Sequence, residues 1–207
     1  MDGRSWLQPL TGILFIAVVI VSFALGGEPP DATEDSIGEV TDFYVDNEDE
    51  VFIGGALQAL AGALLIFFSG YLYKRLRASG ADASAIVTLA GAITLAVGIA
   101  LDGTISIALA ELANGDETAE PGAIQALSAF WNNDFLPLGM GVFVFLWGLG
   151  VAIVRHGALP SWMGWVAIVA ALTAISPAFF VGLIVAALAI LVSSIMFARE
   201  ERGSRPA

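Results

Sequence analysis

The chain has 207 residues, 57% of them apolar and 14% charged, with a mean hydropathy of +0.84. Soluble domains carry roughly 25% charged residues, so these few charges cannot cover a water-facing surface and a lipid bilayer is the expected surrounding. The net charge of -12 is concentrated in one region, and the lack of cysteine excludes disulfides, thiolate metal sites, a cysteine nucleophile and an acylated lipoprotein terminus.

Crossing a hydrocarbon core of roughly 30 Å takes about 20 helical residues at 1.5 Å each. The first such stretch is 10–26. Its leading segment 1–9 carries little positive charge and its apolar run is long, so it is expected to stay as a membrane span; cleavage as a signal peptide is the alternative. Next comes an acidic segment, with ten carboxylates and no base from Glu28 to Glu50. Glu28-Pro29-Pro30-Asp31 forms a stiff exit from the first span. Ser36-x-x-Glu39 has the spacing of a capping box, and Ile37, Val40 and Tyr44 follow at helical intervals, predicting a short amphipathic helix on the outer surface. Asp46, Glu48, Asp49 and Glu50 can be read as a loose Ca²⁺ ligand set or as a solvated acidic face; they lack the ordered spacing and central glycine of a dedicated calcium loop.

The second and third spans are expected at 51–73 and 83–101, joined by a short basic connection. Beyond them, 104–112 and 122–131 are apolar enough either to extend the spans or to lie on the surface, with a turn at Asn114-Gly115-Asp116. The fourth span is expected at 136–154. Residues 161–198 form 38 residues without a charge, about 57 Å as one helix, so the segment must fold back. Ser176-Pro177 marks the reversal, because proline disfavours helix in the residue before it and offers no amide donor. The last spans are then 161–175 and 178–198. Pro160 suits a first helical turn, and Trp162 and Trp165 fall at headgroup depth.

Six crossings put all eight bases on one side of the membrane, while the outer loops, at 27–50 and 102–135, carry fifteen acids between Glu28 and Glu50 and between Glu111 and Asp134, and no base. Basic residues accumulate on the cytoplasmic face, so both termini are expected inside. The expected fold is an all-α, polytopic transmembrane bundle over 1–207: six spans as three hairpins, N-in/C-in, with one short amphipathic outer helix. Small residues recur at helix-contact spacing in Gly55, Ala59 and Ala63, in Ala92, Ala96 and Ala100, and in Gly141 and Gly148. Such faces serve packing within the chain, or a homo- or hetero-oligomer.

The runs Phe43-Tyr44-x-Asp46-Asn47, Gly54-Gly55-Ala56-Leu57 and Tyr71-Leu72-Tyr73-Lys74-Arg75-Leu76-Arg77 resemble a group of uncharacterised actinobacterial membrane proteins of a domain-of-unknown-function type. The junction Gly157-Ala158-Leu159-Pro160-Ser161-Trp162-Met163-Gly164-Trp165 is similar to theirs as well. The resemblance implies six or seven spans in a bacterial plasma membrane, and it brings no activity and no functional residues.

The residue inventory offers little chemistry. His156 is the only histidine and falls in a basic hairpin, so a bis-histidine haem cannot be built from one chain. His-Glu-x-x-His, Gly-x-Ser-x-Gly and a glycine-rich phosphate loop with lysine are all missing, and no basic patch offers itself to nucleic acid. No enzyme activity, cofactor or metal is expected, and the bilayer is the expected partner. Two polar residues fall where lipid makes them costly. Asp102 stands 19 residues beyond Ala83, about 29 Å along the third span; Gln58 lies about 10 Å into the second from the same face. Together with Asn132, Asn133 and Asp134 they form either a polar vestibule for a cation or small polar solute, or an interfacial carboxylate with one interhelical hydrogen bond. The expected role is accordingly structural or accessory, with a small transporter or channel subunit as the alternative.

Overall fold

A computed structural model describes residues 7–31, 35–115, 121–133 and 135–203. Every regular element among them is helical: α1 (Leu10–Gly26), α2 (Ile37–Asp46), α3 (Glu48–Ala78), α4 (Asp82–Asn114), α5 (Pro121–Trp131), α6 (Phe135–His156), α7 (Ser161–Thr173) and α8 (Phe179–Gly203). Four stretches are long and apolar enough to cross a membrane, lying in α3, α4, 121–156 and α8, whereas α1 and α7 are shorter apolar helices. The reversal at Ser176-Pro177 has a local cause: the Ser176 hydroxyl donates to the Thr173 carbonyl (2.8 Å) and accepts from the Ala178 amide (3.1 Å), replacing helical bonds that proline forbids.

The six apolar helices close on themselves. α1 packs on α3, α3 on α4, α4 on α6, α6 on α7, α7 on α8, and α8 returns to α1 while also touching α6. The interior is filled by Phe15, Leu65, Phe68, Phe145, Leu149 and Ile190 among others. Large apolar side chains such as Phe67 and Phe180 face outward, and Trp162 and Trp165 are exposed at the start of α7.

Glycines set how closely the helices approach. A methyl group at Gly91 would lie 2.2 Å from the Phe145 amide nitrogen, one at Gly141 2.5 Å from that of Leu95, and one at Gly148 2.7 Å from that of Thr88. The α4–α6 interface is therefore backbone against backbone. On α3 the contact residues are Gly55, facing Gly103, and Gly62, facing Ala96. Ala59 and Ala63, expected on the same face as Gly55, are exposed, because a strict four-residue step drifts around a helix of 3.6 residues per turn. Ala92 and Ala96 are buried as that face of α4 requires.

The two ends of the bundle differ in charge. Arg75 pairs with Glu200 and stacks over the Phe197 ring at 4.8 Å, joining the C-terminal ends of α3 and α8. Arg77 pairs with Asp82 at 2.7 Å across the α3–α4 turn, where Gly80 supplies φ +87°. His156, at the end of α6, has Nδ1 3.7 Å from where a Gly80 methyl would stand. All the described bases thus gather at one end.

The opposite end is capped. The Ser36 hydroxyl accepts from the Glu39 amide (3.3 Å) while the Glu39 carboxylate accepts from the Ser36 amide (2.9 Å), completing the expected capping box. Val40 and Tyr44 on the apolar face of α2 are buried with Val51, Ile105, Leu109 and Ile124. This small core exists because 104–112 continues α4 as one helix of 33 residues, about 50 Å long, whose projecting end receives α2 and α5. The amphipathic helix therefore lays its apolar face on protein. Asn47 alone joins α2 to α3, donating its side-chain amide to the Phe43 carbonyl at 2.8 Å.

Candidate polar site beneath the helical cap

At the junction of α1, α2, α3, α4 and α5 lies a cavity of about 40 Å³. The crossing of α3 and α4 builds its floor. Methyl groups at Gly55 or Gly103 would each meet the other residue's carbonyl oxygen at 2.7 Å, so the backbones touch there and bring the next polar side chains together. These are Gln58 and Asp102, 6% and 8% exposed. Both line the cavity, and the Gln58 Oε1 lies 2.7 Å from the position of a Gly103 methyl.

Further polar groups at the cavity include Tyr44, Ser106 and Trp131, of which Tyr44 and Trp131 come from elements the sequence did not join to these two. Tyr44 descends from α2, Ser106 lies one turn beyond Asp102, and Trp131 closes α5. The Ser106 hydroxyl is spent on the Asp102 carbonyl at 3.0 Å. Burial, and next the Asp102 carboxylate, push the Tyr44 phenol well above its ordinary value, so it keeps its proton. Asn114 secures the cap by donating to the Tyr44 carbonyl at 3.2 Å.

Among the described residues three buried side-chain atoms have no hydrogen-bond partner, Ser128 Oγ and two at the cavity: the Gln58 Oε1, an acceptor, and the Trp131 Nε1–H, a donor. A buried polar group left unmatched costs about 1–3 kcal/mol, and both belong to residues lining the cavity. A cavity needs at least roughly 10–15 Å³ to hold a water, whose share of the liquid is about 30 Å³, so the space admits about one group of that size.

The remaining expected members stand apart. Asn132 donates its side-chain amide to the Asp31 carboxylate at 2.7 Å, tying the exit of α1 to the end of α5. Asn133 is exposed and donates to the Ala129 carbonyl at 2.7 Å as a helix-end cap. Asp134 lies outside the described residues. Of the five, then, Gln58 and Asp102 are brought together at the cavity. Tyr44 was legible as part of the apolar face of α2, but its neighbours were not, and nothing in the sequence pointed to Trp131. Among the described residues no group of three or more histidines and carboxylates is set to hold a metal ion.

A family model for a domain of unknown function, DUF4386, matches residues 10–200. The chain belongs to the DUF4386 family. No curated protein and no solved structure matches it. For this DUF4386 chain the physical content of the bundle is therefore the guide to function. The match runs from the first residue of α1 almost to the end of α8, so the closed ring and its cap fall within one family domain.

Proposed function

We propose that this DUF4386 protein is a six-crossing, non-enzymatic component of a prokaryotic plasma membrane, with both termini in the cytoplasm and a structural or accessory role. The observation that carries this reading is the closed ring of six apolar helices around an interior of apolar side chains and touching backbones. The gathering of bases at one end supports the orientation. The exposed Ala59 and Ala63 of α3 offer a second copy or a partner subunit a close approach. Single cysteines in this cysteine-free chain test the topology. Ser36→Cys should react with an impermeant thiol reagent on intact cells, and Ser79→Cys and Ser204→Cys only after lysis. Labelling of Ser79→Cys from outside would overturn the orientation.

A second reading, a small transporter or channel subunit that binds a cation or polar solute, draws on one observation: the unpaired Gln58 oxygen in a cavity bordered by Asp102. Asp102→Asn and Gln58→Ala separate the two. If they alter stability alone and every binding or transport assay is unmoved, the accessory reading stands without the second.

A further inference from the structure

We infer that the capped cavity receives the head of a protonated primary amine, an inference that rests on the solute-binding reading above and names its ligand. Four aromatic residues border the cavity: Phe23 from α1, Phe43 and Tyr44 from α2, and Trp131 from α5. The Phe43 and Tyr44 rings meet edge to face, their centroids 5.3 Å apart and their planes at 89°. Ring faces attract a cation through their quadrupole, by about 2 kcal/mol or more where water is excluded. With a carboxylate in the same wall, from Asp102, such a lining favours an organic cation over an anion or a neutral solute.

The rim adds long-range attraction. Glu28 sits between the lining residues Gly27 and Pro29, and Glu48, Asp49 and Glu50 immediately precede the lining residue Val51. All the described bases are at the other end of the bundle. Clefts bordered by one sign of charge concentrate counter-ions at the entrance.

The unpaired Gln58 oxygen then chooses among cations. It is 94% buried and needs a donor, which a primary ammonium supplies through N–H and a quaternary ammonium cannot. The volume of about 40 Å³ is close to that of one water-sized group and takes the ammonium head alone. The rest of the solute would lie towards the rim.

The full chain in nanodiscs of zwitterionic lipid, titrated with ethylammonium and followed by ligand-detected NMR, tests this. Saturable binding is expected, weakened roughly tenfold or more by Asp102→Asn and by Gln58→Leu. Trp131→Leu, at a partly exposed position where truncation is compatible with folding, should weaken it severalfold. Tetramethylammonium should bind more weakly than ethylammonium. If ethanol, the neutral analogue, or sodium binds as well as ethylammonium, the amine inference fails while the solute-binding reading survives. If none of these probes binds, both fail.

Discussion

Gln58 carries the cost of a buried polar group left unmatched. Its side chain could be replaced by leucine with little change of volume, and its oxygen has no partner in the folded chain. Gln58→Leu should therefore leave the thermal midpoint unchanged or raise stability by about 1 kcal/mol, while weakening amine binding roughly tenfold or more. A clear loss of stability, read by thermal unfolding in detergent, would mean that the glutamine is a structural hydrogen-bonding residue. The sequence exposed Gln58 and Asp102 as candidates because each is a polar residue in an apolar run, a signal visible without any neighbour. Tyr44 and Trp131 gave no such signal: an aromatic residue at helical spacing reads as core, and only the fold turns it towards a cavity.

Helices differ in how much of their placement is local. The box that starts α2 was legible because a serine and a glutamate three residues apart carry their whole geometry with them. The carboxylate of Glu39 is held below its ordinary value of 4.5, chiefly by the Ser36 amide and next by its hydroxyl. A depressed carboxylate stabilises the fold above its unfolded value and loses that contribution as pH falls through its folded one. The protection of the α2 amides against hydrogen exchange, relative to the intrinsic rate at each pH, should thus fall on acidification below about pH 4.5, and Glu39→Gln should remove part of that response. An identical acid response in the variant would place the cause elsewhere. The continuation of α4 through 104–112 was not legible, since an apolar segment beside a span reads equally as extension or surface helix. Only the docking of α2 and α5 distinguishes them.

Interfaces between helices can be tested by comparing two glycines in long helices. Gly91→Ala must push a methyl group into the backbone of Phe145 and should cost about 1–3 kcal/mol or more. Gly70→Ala on α3 meets nothing within 4 Å and should stabilise by up to about 1 kcal/mol through helix propensity. Equal effects of the two on unfolding would refute the close α4–α6 contact.

At the scale of the whole molecule, the ring depends on α8 returning to α1 and α3, and two kinds of contact act at that closure. One is the Arg75–Glu200 pair, whose side chains are 37% and 53% exposed; pairs in water of this kind contribute about 0–1 kcal/mol and are screened by salt. The other is Phe197, 1% exposed, which packs edge-on to Tyr71 at 5.8 Å and lies beneath the Arg75 guanidinium. Burial in lipid gives helices no hydrophobic reason to associate, so the closure rests on contact between fitted surfaces. Removing a buried phenylalanine costs about 3–5 kcal/mol in water-soluble cores, and a loss of that order is expected for Phe197→Ala. Glu200→Gln should shift the thermal midpoint only slightly, and high salt should erase the shift. Both are measurable on the purified chain in one detergent at low and high ionic strength. Should Glu200→Gln open the bundle as readily as Phe197→Ala, the ring would be closed by charge, and the stability of this fold would depend on ionic strength.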